Sequence, residues 1–354
     1  MRTSQAPDSK KSGTARLPRI GFLGAGWIGR RRMEAIWRAG VAEVVAIADP
    51  SAECVDECMQ WVPDAQRHET FDELLNVSLD GLVISTPSAL HAEQSIAALQ
   101  RGLGVFCQKP LGRNTEEVQS IIASARRADR LLAVDLSYRH IAGLQRIREL
   151  IRGGALGEIF AVDLVFHNAF GPQAAWFYDA QLSGGGCVVD LGIHLVDAAL
   201  WILDAAVVGV SSRVLAKGHP LAMKPEAVED FATARLDLVS GAVVTLACSW
   251  RLHAGRDAVI EMSFYGTEGG AALRNVNGSF HDFRAEHYRG TTTELLAEPP
   301  DAWGGRAAVA WAERLAAANV FDPDVERQIE VALALDAIYG RENAASLVAQ
   351  GAAR

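Results

Sequence analysis

The chain has 354 residues, roughly twice the usual size of one domain, so its length predicts two cores rather than one. Its 34 basic and 43 acidic side chains give a net charge of −9; residues 1–140 hold 17 of each sign, while residues 141–354 hold 17 basic and 26 acidic and carry the whole excess. Neither half supplies the basic surface that nucleic acid or an anionic membrane requires, and 49% hydrophobic with 22% charged residues is the composition of a soluble globular protein.

Residues 1–18 are polar and lack the apolar centre of a secretory signal, which predicts a disordered tail. From Arg19 short apolar runs alternate with amphipathic, helix-length stretches. The runs fall at 19–24, 43–49, 81–86, 104–108 and 131–136, with helices at 28–39, 89–100 and 115–128 between them. This alternation predicts a doubly wound parallel sheet over 19–140. Residues 141–354 read differently: a helix at 144–152, then strand-like runs at 158–168, 207–216, 229–239, 242–252 and 258–266. Ser240-Gly241 is a hairpin turn between two of them. A second α/β domain with a large open, mostly antiparallel sheet is expected, closed by a helix over 323–348, and no stretch is expected to reach membrane-spanning length.

The five cysteines, Cys54, Cys58, Cys107, Cys187 and Cys248, are odd in number and contain no C-x-x-C pair, which predicts reduced thiols and a cytoplasmic location. Cys54 and Cys58 lie four apart on a helix without further ligands at zinc spacing, so no metal is expected.

Three motifs carry chemistry. Gly24-Ala25-Gly26-Trp27-Ile28-Gly29 is a G-x-G-x-x-G between a predicted strand and a predicted helix, the setting in which it binds a dinucleotide. Gly24 permits the turn, Gly26 admits the pyrophosphate and Gly29 lets the helix pack on the strand. Asp49 ends the second strand, twenty residues after Gly29, where a carboxylate accepts from the adenosine ribose and repels a 2′-phosphate. NAD is therefore expected over NADP, although Arg30, Arg31 and Arg32 lie close by. Next, Lys109, in Cys107-Gln108-Lys109-Pro110, lies at the carboxyl end of a parallel strand, the edge at which such sheets bind ligands. Finally, Asp190, His194 and Asp197 follow the glycine triplet 184–186 at i, i+4 and i+7. A helix would put them on one face, with backbone N–H groups free at its start and an imidazole flanked by carboxylates as a general base.

The ordered set of Gly24 to Gly29, Asp49, Thr86-Pro87-Ser88 with His91, Lys109-Pro110, and the triplet followed by Asp190, Gly192 and His194 resembles the glucose-fructose oxidoreductase, inositol dehydrogenase and MocA family. The resemblance runs from Arg19 to the last helix and includes Tyr138-Arg139. It implies a Rossmann domain, a C-terminal α/β domain whose open sheet forms homodimers or homotetramers, and redox chemistry at a hydroxyl-bearing carbon of a sugar or polyol. By position Lys109 matches the lysine of the family's E-K-P motif, and Asp190 and His194 match its substrate-side acid and acid/base histidine. Two residues depart from the pattern: Gln108 replaces the glutamate, and Arg32 stands where many members have histidine.

The chemistry required is a base for the hydroxyl proton and a cation beside the developing alkoxide, which assigns His194 and Lys109, with Asp190 positioning substrate or imidazole. The cofactor set is Gly24, Gly26, Trp27, Ile28, Gly29, Asp49, Thr86, Pro87, His91, Gln108, Lys109 and Arg139, with His91 as a structural partner of the cofactor loop. Asn168 and Trp176, in the irregular segment 167–179, are candidate substrate contacts. Two other readings stay open: an NAD-dependent glycoside-cleaving enzyme that oxidises its substrate transiently, and a non-catalytic regulator that senses dinucleotide or sugar.

Overall fold

A computed structural model describes residues 16–223 and 226–341, so the expectations for residues 1–15 and 342–348 lie outside the described residues. The first sheet is built from β1 (Arg19–Leu23), β2 (Glu43–Ala48), β3 (Gln66–His68), β4 (Gly81–Ile84), β5 (Gly104–Cys107) and β6 (Leu132–Val134), in the order β3-β2-β1-β4-β5-β6. Every pairing in it is parallel. Apart from the polar edge strand β3, the strands are near-continuous apolar runs because helices cover both faces. These helices are α1 (Trp27–Ala39), α2 (Ala52–Cys58), α3 (Phe71–Leu74), α4 (Ser88–Gln100) and α5 (Thr115–Ala128). The order reverses between β1 and β4, which opens a crevice at the carboxyl ends of the strands.

The second unit begins with α6 (Ala142–Arg152) and β7 (Ile159–Asn168), passes through α7 (Ala180–Ser183) and α8 (Ile193–Leu203), and continues as strands. These are β8 (Val207–Ala216), β9 (His219–Pro220), β10 (Phe231–Leu238), β11 (Val243–Ser249), β12 (Ala258–Gly266), β13 (Gly270–Asn275), β14 (Phe283–Arg289) and β15 (Thr292–Ala297). They form one nine-stranded sheet, β15-β14-β13-β12-β7-β11-β10-β8-β9. It is antiparallel except where β11 lies parallel to β7. The β10–β11 hairpin turns at Ser240-Gly241, where Gly241 takes φ 86°. On the inner face α6 and α8 bury a core that includes Leu164, Phe166, Leu195, Leu246 and Phe264.

The chain then returns to the first sheet. Helix α9 (Arg306–Ala317) lays Trp311 against Phe106 of β5, ring centroids 5.6 Å apart. It can do so because Gly81 and Gly104 lack side chains: a Cβ on either would stand 2.6 or 2.7 Å from Leu315. The last described helix, α10 (Arg327–Ile338), sends Asp336 to the N-terminus of α5, where it accepts from Thr115 N at 2.8 Å and Thr115 Oγ1 at 2.7 Å. Residues beyond β15 thus join both units.

The expectation that no apolar stretch reaches membrane length is corrected: Ala180–Leu203 passes on length and hydropathy. The segment is interrupted by the glycine triplet, and 83% of its apolar window is buried inside the protein.

Candidate active site

A cleft of about 780 Å³ lies between the two units, along the carboxyl ends of the parallel strands. At one end the glycine loop enters α1. A Cβ on Gly29 would stand 2.2 Å from Gly24 O, so only glycine allows helix and strand to close. A Cβ on Gly26 would meet nothing within 4 Å, because that position faces the open cleft. The first N–H groups of α1 have no intrahelical partner and face the same space, a cradle for a diphosphate. Asp49 closes the loop by accepting from Ala25 N at 2.7 Å and Ser51 N at 2.8 Å. Both oxygens keep lone pairs for ribose hydroxyls. These features fit a dinucleotide.

Thr86, Pro87, His91, Gln108 and Lys109 line the middle of the cleft together with Trp27 and Ile28. Buried His91 ties two loops together, with Nδ1 2.7 Å from Pro110 O and Nε2 2.8 Å from Thr86 O. Burial holds its pKa below the usual imidazole value against those two carbonyls.

Lys109 Nζ donates to Asp190 Oδ1 and to Asp190 O, each at 2.7 Å. Trp250 Nε1 donates to the other carboxylate oxygen at 3.0 Å. The lysine follows β5 of the first unit and the aspartate comes from the second, so the pair spans the interface. His194 lies beside it with no hydrogen bond to a described residue, its ring centroid 4.6 Å from that of Tyr138. Its pKa is held well below 6.5, first by burial, then by the Lys109 charge and then by Arg32. The imidazole is therefore neutral at pH 7 and able to accept a proton.

Two expectations for this segment are corrected. Residues Val188–Gly192 form a π-helical turn before α8, and Asp197, three residues past His194, is turned away from the cleft. It accepts from Arg139 at 2.6 and 2.8 Å and from Gln328 at 3.3 Å. Asp190 gives its carboxylate to Lys109 and Trp250, so neither aspartate hydrogen-bonds the imidazole. The N–H groups after the triplet are also not free. Gly186 N and Val188 N donate to the fully buried Glu229 carboxylate at 2.9 Å, and Cys187 N donates to Glu229 O at 3.1 Å.

Among the other candidates Trp176 lines the cleft, stacked on Phe177 with centroids 3.8 Å apart. Arg139 and Asn168 are not brought there. Arg139 is committed to Asp197 and lines a separate cavity of about 210 Å³. Asn168 accepts from Phe170 N at 2.7 Å and shapes the turn after β7. Sequence reasoning missed Trp250, Glu229, Asp135, Tyr138 as the partner of His194, and Trp303, which lines the cleft with its ring centroid 5.1 Å from that of Tyr138. Asp135 carried one readable signal: it directly follows the last parallel strand, at the ligand-binding edge.

A Rossmann crevice joined to an acid–lysine–histidine cluster defines a two-domain nicotinamide-dependent oxidoreductase. Residues 18–136 match the oxidoreductase family with an NAD-binding Rossmann fold, and residues 144–272 match the GFO/IDH/MocA C-terminal domain. The chain belongs to the GFO/IDH/MocA family of NAD(P)-dependent oxidoreductases. It is 30% identical to D-glucoside 3-dehydrogenase of Escherichia coli (strain K12) over 56% of this chain and 60% of that one. To the putative UDP-kanosamine synthase oxidoreductase subunit of Amycolatopsis mediterranei (strain S699) it is 31% identical, over 78% of this chain and 82% of that one. A levoglucosan dehydrogenase solved with NADH and levoglucosan shares the fold at a TM-score of 0.79, with 21% identity, 93% coverage of this chain and 97% of that one.

Proposed function

We propose that the protein transfers a hydride between NAD and a hydroxyl-bearing carbon of an uncharged sugar or polyol. The observation that carries this reading is the Lys109–Asp190 pair beside a neutral His194 at the cleft. Bound nicotinamide supplies the hydride acceptor or donor. In the oxidative direction His194 takes the hydroxyl proton, and the Lys109 ammonium stabilises the oxygen as its negative charge grows. Asp190, held by Trp250, fixes the lysine and accepts from a neighbouring hydroxyl. In reduction the same groups return the proton.

The charges lining the cleft are paired, Lys109 with Asp190 and Arg32 with Asp135, which favours an uncharged substrate over a sugar acid. Trp176 offers an aromatic face to a sugar ring. NAD is favoured over NADP because Asp49 lies at the ribose position and nearby Arg30 is already paired with Glu57. Free thiols suit a cytoplasmic setting. The outer face of the nine-stranded sheet, with Phe160 56% exposed, suits a homodimer or homotetramer.

Incubation with NAD or NADP and a panel of polyols, sugars and glycosides tests the reading. NADH should accumulate with at least one uncharged substrate. Glycoside cleavage without net NADH would replace the reading with the hydrolytic one, and a protein that binds cofactor but turns over none of the panel would favour a regulator.

A further inference from the structure

Gln108 and Arg32, the two departures from the family pattern, meet at one carboxylate. Asp135 is 1% exposed at the end of β6. Arg32 Nε donates to its Oδ2 at 2.5 Å, Gln108 Nε2 donates to the same oxygen, and Ser137 Oγ donates to Oδ1. Arg32 also donates to Ser137 Oγ at 2.9 Å, and all four residues line the cleft. An ionised carboxylate only accepts, so it selects the nitrogen end of the Gln108 amide. The amide oxygen is left without a donor among the described residues, on a side chain that borders the cleft beside Lys109.

We propose that Asp135, with Arg32 as its counter-ion, is a positioning residue that fixes the Gln108 amide so that Oε1 accepts from an N–H or O–H of the nicotinamide half of the dinucleotide. The proposal rests on the NAD reading above. Its charge logic is specific. A glutamate at 108 beside an ionised Asp135 would place two carboxylates against one guanidinium, and like charges at that spacing disfavour joint ionisation. The negative charge can sit at 108 or at 135, but not at both. The two departures then act at one point: position 108 carries no charge, and Arg32 balances the charge at 135.

Titration of the full-length protein with NADH, and with ADP, which lacks the nicotinamide half, tests this. Asp135→Asn frees the amide to turn over, and Gln108→Glu crowds the carboxylates. Each should weaken NADH binding about tenfold, the scale of one hydrogen bond, with ADP binding within about twofold of wild type. The double variant Gln108→Glu/Asp135→Asn moves the charge to position 108 and should return NADH affinity to within about threefold of wild type. Losses that simply multiply in the double variant, or singles that bind NADH normally, would overturn the proposal. Gln108→Met leaves the Arg32–Asp135–Ser137 cluster intact and guards against misfolding of the other singles. It should show the same loss for NADH and none for ADP, and unchanged NADH affinity would overturn the proposal. A wild type that binds ADP but gains nothing from the nicotinamide half would also overturn it. A wild type that binds neither ligand would overturn the NAD reading beneath it as well.

Discussion

Glu229 is the least exposed acid among the described residues, and its replacement gives a graded outcome. Its Oε1 accepts from Gly186 N and Val188 N at 2.9 Å and from Tyr339 Oη at 2.7 Å, while Oε2 accepts only from Gly186 N, at 2.9 Å. A Cβ on Gly186 would stand 1.9 Å from Glu229 O, so the triplet is packed directly against this residue. Glu229→Ala orphans three buried donors at about 1–3 kcal/mol each before relaxation, for a net loss of ~3–5 kcal/mol. Glu229→Gln can put its oxygen at the three-donor position and its amide nitrogen where one N–H is shared, a loss of ~1–2 kcal/mol. The triplet leads into the turn that carries Asp190, so a shift of about 1 Å there should also lower kcat up to 100-fold. Denaturant unfolding and steady-state rates on the same preparations measure both effects. Equal losses for the two variants, or a loss under about 1 kcal/mol for Glu229→Ala, would refute the assignment of the carboxylate as the clamp of that turn.

Three further outcomes follow from the same geometry. Gly26→Ala should leave stability within ~0.5 kcal/mol, because a Cβ there meets nothing, yet weaken NADH binding at least about tenfold; Gly29→Ala should cost ~1–3 kcal/mol by pressing on Gly24 O. Unfolding curves and NADH titration separate the two. Asp49→Ser should raise KM for NAD about tenfold and narrow the preference for NAD over NADP, checked by kcat/KM with each cofactor. Because the folded pKa of His194 is depressed, the unfolded chain binds the extra proton first as pH falls below 6.5. The stability from this group is thus complete above 6.5 and lost as pH drops towards the folded value. The acid limb of kcat/KM should correspondingly lie below 6.5, and a limb at or above that value would remove His194 as the base.

Five strands of the parallel sheet were legible because they are continuous apolar runs between helices of regular period; the sixth, β3, is a polar edge strand, Gln66 to His68, with no such signal. The far half of the second sheet was not. The edge strand β15 turns Thr292 to Leu295 to solvent and so lacks an apolar signal, while the buried part of β13, Gly270 to Leu273, is a short run of small residues ending in one leucine. The Ala-rich α9 was also missed, since Trp311 and Leu315 declare its role only once Gly81 and Gly104 are seen beneath them. Within the site, Lys109, Asp190 and His194 were found by spacing and resemblance and converge at the cleft. Asp197 was misplaced because a turn of π-helix and a waiting Arg139 break the regular period. Trp250 and Asp135 act across the fold on residues 60 and 27 positions away, which no local pattern encodes.

The division between holding the cofactor and reacting the substrate rests most directly on Lys109. Replacing it by alanine removes the ammonium beside the reacting oxygen but leaves the Gly24–Gly29 loop and Asp49 untouched. With the substrate found in the panel, Lys109→Ala should bind NADH within about threefold of wild type while kcat falls about 100- to 1,000-fold. Wild-type turnover in the variant, or a loss explained wholly by failure to bind NADH, would contradict the assignment.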